Sequence, residues 1–314
     1  MLRALGLGDL LTGVPALRGL RRLHPGRPLV LAAPAGIGGW LQSLGVVDAV
    51  IATNGLDGAP PGTGLGAHDA VDLHGNGWPS HGLLLAAEPR SLLALALPGD
   101  THGPQWVAGE HEVDRWCRLV RWAGGACGRE DLLLDIARPP RGSHVVLHPG
   151  AASGSRRWPP GRWAEVARDL AASGIDVRLT GGPAETALCA GIAEAADLPP
   201  TASTAGNLDL PGLAELVGTA RLLVCGDTGV AHLATALRTP SVLLFGPVSP
   251  LAWGPAINLD RHLVLWHGDG TGDPHGSSTD PALLRISVTE VLDAVRQLAA
   301  ARHGGASRKS RRHR

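Results

Sequence analysis

The sequence contains no tyrosine, and among its 314 residues phenylalanine, methionine and lysine each occur once, lysine only at Lys309. Arginine stands in for lysine nearly everywhere, which suggests a GC-rich coding sequence and says nothing of function. The four cysteines, Cys117, Cys127, Cys189 and Cys225, show no Cys-x-x-Cys spacing. A zinc site and a disulfide framework are therefore not indicated, and reduced thiols are expected. No apolar run approaches the roughly 20 residues needed to span a bilayer. The opening residues break too early for a signal peptide. Together these features place the chain in the cytoplasm, with peripheral contact at the inner face of the membrane left open. A basic excess is missing too. Six of the 28 basic residues lie in the tail from Arg302, so the body carries 22 against 28 acidic residues, a formal charge of −6. That excludes a nucleic-acid-binding body and leaves a tail expected to be disordered, with anionic lipid as its one plausible contact.

What is present is glycine, 44 residues, and short apolar runs alternating with helical patterns. The sharpest unit spans residues 221 to 247. An apolar run from Leu222 to Cys225 meets the tight loop Gly226-Asp227-Thr228-Gly229. A helical stretch from Val230 to Leu237 follows, then a break at Thr239-Pro240 and a second apolar run from Ser241 to Phe245. This is a βαβ unit of a buried parallel sheet, and the loop after its first strand is where such folds take ligands. Backbone N–H groups of Thr228, Gly229 and Val230 suit an anion. Asp227 or Thr228 serving only as a helix cap is the alternative.

The same alternation runs along the whole chain. Residues 2 to 7 lead through Gly6-Leu7-Gly8-Asp9 into a helix with Leu10, Leu11, Val14, Leu17 and Leu20 on one face. Leu11 stands where a dinucleotide fingerprint needs its third glycine, which counts against a dehydrogenase. Strands are expected at Leu29–Ala32, Ala49–Ala52, Ala70–Leu73 and Leu92–Ala96, with a Gly/Pro-rich loop over 54–68 and a helix over Glu110–Ala123. The segment 137–142 is expected to be an interdomain linker. The second half restarts with a strand over His144–Leu147, a polar loop to Trp158, a strand over Ile175–Thr180 and a final helix opened by the capping box Ser287-Val288-Thr289-Glu290. The expected domains are 1–138 on the acceptor side, 142–302 binding a nucleotide sugar, and a basic tail, 303–314.

Three strand-to-helix loops of the second half, 148–158, 180–185 and 226–229, would open on one sheet edge. They bring Ser153, Arg156 and Arg157 together with Glu185 and with Asp227, Thr228 and Gly229. Arginine beside helix N-termini suits a diphosphate, and a carboxylate suits the hydroxyl pair of a ribose.

The stretch from Gly8-Asp9 through Pro15-Ala16-Leu17, the pair His148-Pro149-Gly150 and Arg156-Arg157-Trp158-Pro159, and Cys225 through His232 continuing to Phe245-Gly246-Pro247 resemble the motifs of glycosyltransferase family 9, the heptosyltransferases. The resemblance implies an α/β GT-B fold, two Rossmann-like parallel-sheet domains facing a central cleft. It further implies inverting, metal-independent transfer of a sugar from a nucleotide diphosphate, ADP-heptose-like, to a glycan or lipid-linked hydroxyl of the cell envelope. No separate cofactor is implied. Asp9 matches the general base, with helix capping as the alternative. Arg156 falls where the family often has a lysine beside the diphosphate, with Arg157 as its rival. Asp227, Thr228 and Gly229 match the phosphate and sugar loop, Glu185 a ribose contact, and His232 a histidine near the donor or else a packed one. No Asp-x-Asp motif is present. A nucleotide-sugar-binding scaffold without transferase activity is the reading from a different class.

Overall fold

The computed structural model describes residues 1–136 and 141–310. The chain divides into two compact units, Met1–Ile136 and Ala137–Arg314. Most of the segment expected as a linker, 137–140, lies outside the described residues, as do tail positions 311–314.

In the first unit the chain enters through Leu2, which bridges in parallel to both Ala32 and Asp72. It then turns at Gly6 into α1 (Leu7–Leu23). The strands β1 (Val30–Ala33) and β2 (Ala49–Ala52) pair in parallel, with α2 (Ala35–Ser43) between them. β3 (Ala70–Val71) pairs in parallel with β4 (Leu92–Leu93), and α3 (Trp78–Leu85) connects them. The Leu2 segment therefore lies between β1 and β3. Leu2 N–H donates to Val71 O, Arg3 N–H to Ala32 O, and Leu73 N–H to Leu2 O. The last helix, α4 (Glu112–Trp122), packs along α1. The leucine and valine stripe Leu10, Leu11, Val14, Leu17 and Leu20 is buried, as its three- and four-residue spacing requires.

Helix α3 carries Pro79 in its first turn, where proline is tolerated. One expectation is overturned in this unit. The expectation of reduced thiols fails at Cys117 and Cys127, which form a disulfide with Cα atoms 5.1 Å apart. The chain turns back beyond α4 at Gly124, whose φ of +89° favours glycine. That return brings Cys127 onto the helix across a spacing of 10 residues that carries no sequence signature. Cys189 and Cys225 are free and buried.

The second unit is a parallel sheet of five strands ordered β6-β5-β7-β8-β9: β5 (Val145–His148), β6 (Val177–Leu179), β7 (Leu222–Gly226), β8 (Ser241–Phe245) and β9 (His262–Trp266). The helices are α5 (Pro160–Ala172), α6 (Thr186–Ala195), α7 (Leu210–Thr219), α8 (Gly229–Ala236), α9 (Pro250–Trp253), α10 (Pro281–Arg285) and α11 (Val288–Ser310). Every residue of β5, β7 and β8 is buried, the pattern of parallel strands covered on both faces. Val145, Leu147, Val224, Val242 and Leu244 pack with α5, α6 and α11 around Trp158 and Trp163, whose rings meet edge to face at 5.2 Å. Both tryptophans serve the core. The capping box forms: Ser287 N–H donates to Glu290 Oε2 at 2.8 Å and Glu290 N–H to Ser287 Oγ at 3.2 Å. α11 runs on to Ser310, into the basic stretch where disorder is expected.

Candidate functional site

Because all five strands run in parallel, their carboxyl ends share one edge. His148 and Cys225 are registered across β5 and β7, and Thr180 N–H donates to Leu147 O at 2.9 Å. The loops after β5, β6 and β7 accordingly open on the same side of the sheet. After β5 the chain makes a single 3-10 turn, Gly154–Arg156. Arg156 Nε donates to Ser153 Oγ at 3.2 Å, and its Nη1 lies 3.6 Å from Asp227 Oδ2. Arg157 is exposed and turns its Nε to Ala151 O at 2.9 Å. The two arginines thus have different jobs: one faces the β7 loop, the other its own backbone.

That first loop is held from outside by the segment 273–280, which the sequence reading did not single out. Ser153 Oγ donates to Pro274 O at 2.6 Å, Ser155 N–H to Gly276 O at 2.9 Å, Asp280 N–H to Ser155 O at 3.1 Å and Thr279 Oγ1 to Arg157 O at 3.0 Å. Gly154 is required where it is, since a Cβ there would collide with the Ser277 backbone carbonyl.

At the second loop Glu185 curls back so that its Oε2 accepts Gly182 N–H at 2.7 Å. Its carboxylate fills the space beside Gly150, where any side chain would collide with it. Beneath it His148 is buried, with Nδ1 3.0 Å from Thr180 Oγ1. Burial lowers the His148 pKa while the Glu185 charge opposes that shift. At the third loop α8 begins at Thr228, which has extended backbone and no side-chain cap. Capping therefore does not account for Thr228. Its hydroxyl lies against the buried Cys225 thiol, whose pKa burial raises. His232 is buried on α8 and packs edge-on against Trp253 with ring centroids 6.0 Å apart.

In the first unit Asp9 sits in the first turn of α1, three residues past Gly6, which itself lacks a capping side chain. Asp9 is thus not the cap. The buried Arg3, 1% exposed, donates through Nε to the Asp9 backbone carbonyl and through Nη1 to Leu73 O. Its Nη2 reaches Thr12 Oγ1 at 3.1 Å and Glu112 Oε1 at 3.0 Å. Glu112 also accepts Trp116 Nε1 at 2.6 Å and Arg115 Nε at 3.1 Å. Burial alone would raise the Glu112 carboxyl. The Arg3 charge and the hydrogen bonds from Arg3 and Trp116 outweigh that and hold it below the usual range. The Asp9 carboxyl is raised, chiefly by burial and further by Glu112, with Arg3 opposing. A carboxylate with raised basicity and a backbone pinned in place is suited to take a proton. Arg3 and Glu112 escaped sequence reading because they lie 109 residues apart and only packing joins them.

Among the described residues no group of three or more His, Cys, Asp or Glu side chains is placed to hold a metal ion. No helix among them is long and apolar enough to cross a membrane.

Two α/β units, the second with its strand-end loops gathered on one edge of a parallel sheet, form the GT-B fold. The family model of glycosyltransferase family 9 (heptosyltransferase) matches residues 103–271, more than half of the chain, and the chain belongs to that family. It is 31% identical over 155 residues to lipopolysaccharide heptosyltransferase 3 of Escherichia coli, covering 49% of this chain and 45% of that one. With lipopolysaccharide heptosyltransferase 1 of Pseudomonas aeruginosa the identity is 36% over 155 residues, 45% of this chain and 41% of the relative. The chain thus spans about half the length of these curated relatives. The solved structure of E. coli ADP-heptose lipopolysaccharide heptosyltransferase II shares the fold at a TM-score of 0.76 and 20% identity, over 96% of this chain and 98% of that one.

Proposed function

We propose that this chain is an inverting glycosyltransferase that moves a sugar from a nucleotide diphosphate, ADP-heptose-like, to a hydroxyl of a cell-envelope glycan or glycolipid. In this reading residues 1–138 serve the acceptor and 142–302 the donor. The donor is a co-substrate, and no metal is called on for its diphosphate. Arg156 and the N–H groups that open α8 meet the diphosphate charge. Asp227, Thr228, Gly229 and Ser153 line that place, Glu185 takes the ribose hydroxyls, and His232 stands behind the loop. Asp9 accepts the acceptor hydroxyl's proton as that oxygen bonds to the anomeric carbon. The bond from that carbon to the diphosphate breaks with its electron pair leaving on the phosphate oxygen. The names of the curated relatives support lipopolysaccharide-type acceptors, and peripheral contact with an anionic membrane face through the basic tail belongs to the same reading.

The observation that carries this reading is the pairing of Arg156 with Asp227 on the edge where Glu185 also stands. The test is binding and turnover of a panel of nucleotide sugars by wild type and Asp9→Asn. One donor that binds both proteins alike and is turned over only by wild type supports it. A chain that binds donors without turnover under any acceptor is the scaffold of the alternative reading. Binding of none removes the donor site altogether.

A further inference from the structure

The carboxyl ends of the Leu2 segment and of β3 are neighbours in the first unit's sheet, since Leu73 N–H donates to Leu2 O at 3.1 Å. One leads to Asp9 and the other to His74. A single guanidinium ties both down: Arg3 donates to the Asp9 carbonyl and to the carbonyl of Leu73, the residue just before His74. The His74 backbone is fixed as well, its N–H donating at 2.7 Å to Oδ1 of Asp72, a fully buried carboxylate. His74 and Asp9 each feel the other's charge. The His74 side chain nevertheless finds no use in the fold. Its Nδ1 is buried and has no hydrogen-bond partner. Asp72 Oδ2, 3.4 Å from His81 Nε2 but not aligned with it, likewise has no hydrogen-bond partner.

We propose that His74 is an acceptor-binding residue, a neutral imidazole that hydrogen-bonds a sugar hydroxyl next to the one that Asp9 deprotonates. This rests on the reading of Asp9 as the base. The chemistry is specific. A ring nitrogen buried without an acceptor is better left as a lone pair than as a stranded N–H, which puts the proton on Nε2 as a donor. Burial lowers the His74 pKa, with Asp72 and Asp9 opposing and Arg3 assisting, so the ring is uncharged at neutral pH. An imidazolium beside Asp9 would pull down the carboxylate's basicity, and a neutral ring does not. A donor of this kind beside a base recognises two adjacent hydroxyls, the grammar of a sugar acceptor. The loop that carries it continues as Gly75-Asn76-Gly77, two of whose three residues have no side chain.

Two measurements test this on the full-length protein. The first needs no turnover: the His74 ring resonance, assigned by its disappearance in His74→Gln, is titrated by NMR in wild type and in Asp9→Asn. Loss of the Asp9 carboxylate removes a group that raises the ring's pKa, so the midpoint moves to lower pH, with Asp72 and Arg3 unchanged around it. An unmoved midpoint overturns the juxtaposition. The second follows transfer to methyl glycosides carrying vicinal diols, with ADP binding by calorimetry alongside. His74→Ala raises the acceptor KM about tenfold or more and lowers kcat less, ADP affinity is retained, and His74→Gln recovers part of the loss. A fall in kcat with KM unmoved overturns the proposal, as a merely structural group would give. If wild type turns over no nucleotide sugar with any acceptor, the transferase reading itself fails and takes this role with it, whereas failure confined to the His74 variants leaves that reading standing.

Discussion

Arg3 donates its Nε–H to the backbone carbonyl of Asp9. A guanidinium that gripped the carboxylate itself would depress its pKa and quench it as a base. Bonded to the carbonyl, it fixes the position of Asp9, and its charge only partly offsets the burial that raises the carboxyl's pKa. The basic residue thus acts as a mount.

The first prediction concerns Asp9→Asn. Transfer activity falls by roughly 10²- to 10⁴-fold, the usual contribution of a positioned general base. In wild type the acid limb of kcat/KM lies above the ordinary carboxylate range, because the group must be ionised and its pKa is raised. Stability moves the other way. A carboxyl with a raised folded-state pKa contributes stability that is full below its unfolded pKa and lost as pH rises through the folded one. Asp9→Asn is therefore more stable than wild type at pH 7 and equal to it near pH 3 in thermal melts. A melt that falls at pH 7 contradicts this.

A second pair of variants separates the arginines. Arg156→Ala weakens ADP binding by roughly tenfold to a hundredfold, the effect of losing one charge-assisted contact. Arg157→Ala changes it less than threefold, because that guanidinium serves the Ala151 carbonyl. Calorimetry with ADP reads both, and equal losses would refute the assignment.

Two glycines give opposite outcomes. In Gly150→Ala the new methyl meets the far end of the Glu185 side chain, which can swing away. Melting stays within about 0.5 kcal/mol of wild type, while ADP affinity drops roughly tenfold as the carboxylate leaves the ribose position. In Gly154→Ala the methyl meets the Ser277 backbone carbonyl, which cannot yield without moving the 273–280 segment. Stability falls by about 1–3 kcal/mol. Urea melts alongside ADP titrations distinguish the two.

His262 supplies a pH dependence remote from the site. It faces Ser241 across β8 and β9, with Nδ1 2.8 Å from the Ser241 hydroxyl. Burial lowers its pKa from 6.5 to about 4. A histidine with a depressed folded-state pKa contributes stability that is full above its unfolded pKa and declines as pH falls from about 6.5 toward 4. The loss amounts to roughly 3 kcal/mol at about 1.4 kcal/mol per unit. Denaturant melts at pH 7 and pH 4 show that decline, and in His262→Gln it is flatter.

The sheet of the second unit and the edge on which its loops gather were legible from sequence because local patterns encode them. All-apolar runs such as Leu222–Cys225 ending in Gly-Asp-Thr-Gly admit few alternatives. What stayed hidden depends on partners far along the chain. Arg3 looks like a stray charge in an apolar run until Glu112 is brought to it. Nothing in Pro274 or Gly276 announces that they clamp Ser153 and Ser155. The Cys117–Cys127 bond depends on how a glycine turn folds back on a helix. β9 went unnoticed because its short run, Leu263 to Trp266, lies beyond the motif that drew attention, although it completes the sheet beside β8.

The resting contact between Arg156 and Asp227 makes the proposed phosphate subsite its own counterion pair. Any anion that draws the guanidinium away removes a neighbouring positive charge from a buried carboxylate, and that loss is costly. Inorganic phosphate brings negative charge with no more than one or two acidic hydroxyls of its own to offer Asp227. A sugar diphosphate brings both the charge and hydroxyl donors that can replace the lost partner. On the proposed reading the same two residues act as a filter, favouring a ligand that carries both diphosphate charge and several hydroxyl donors over a simple anion.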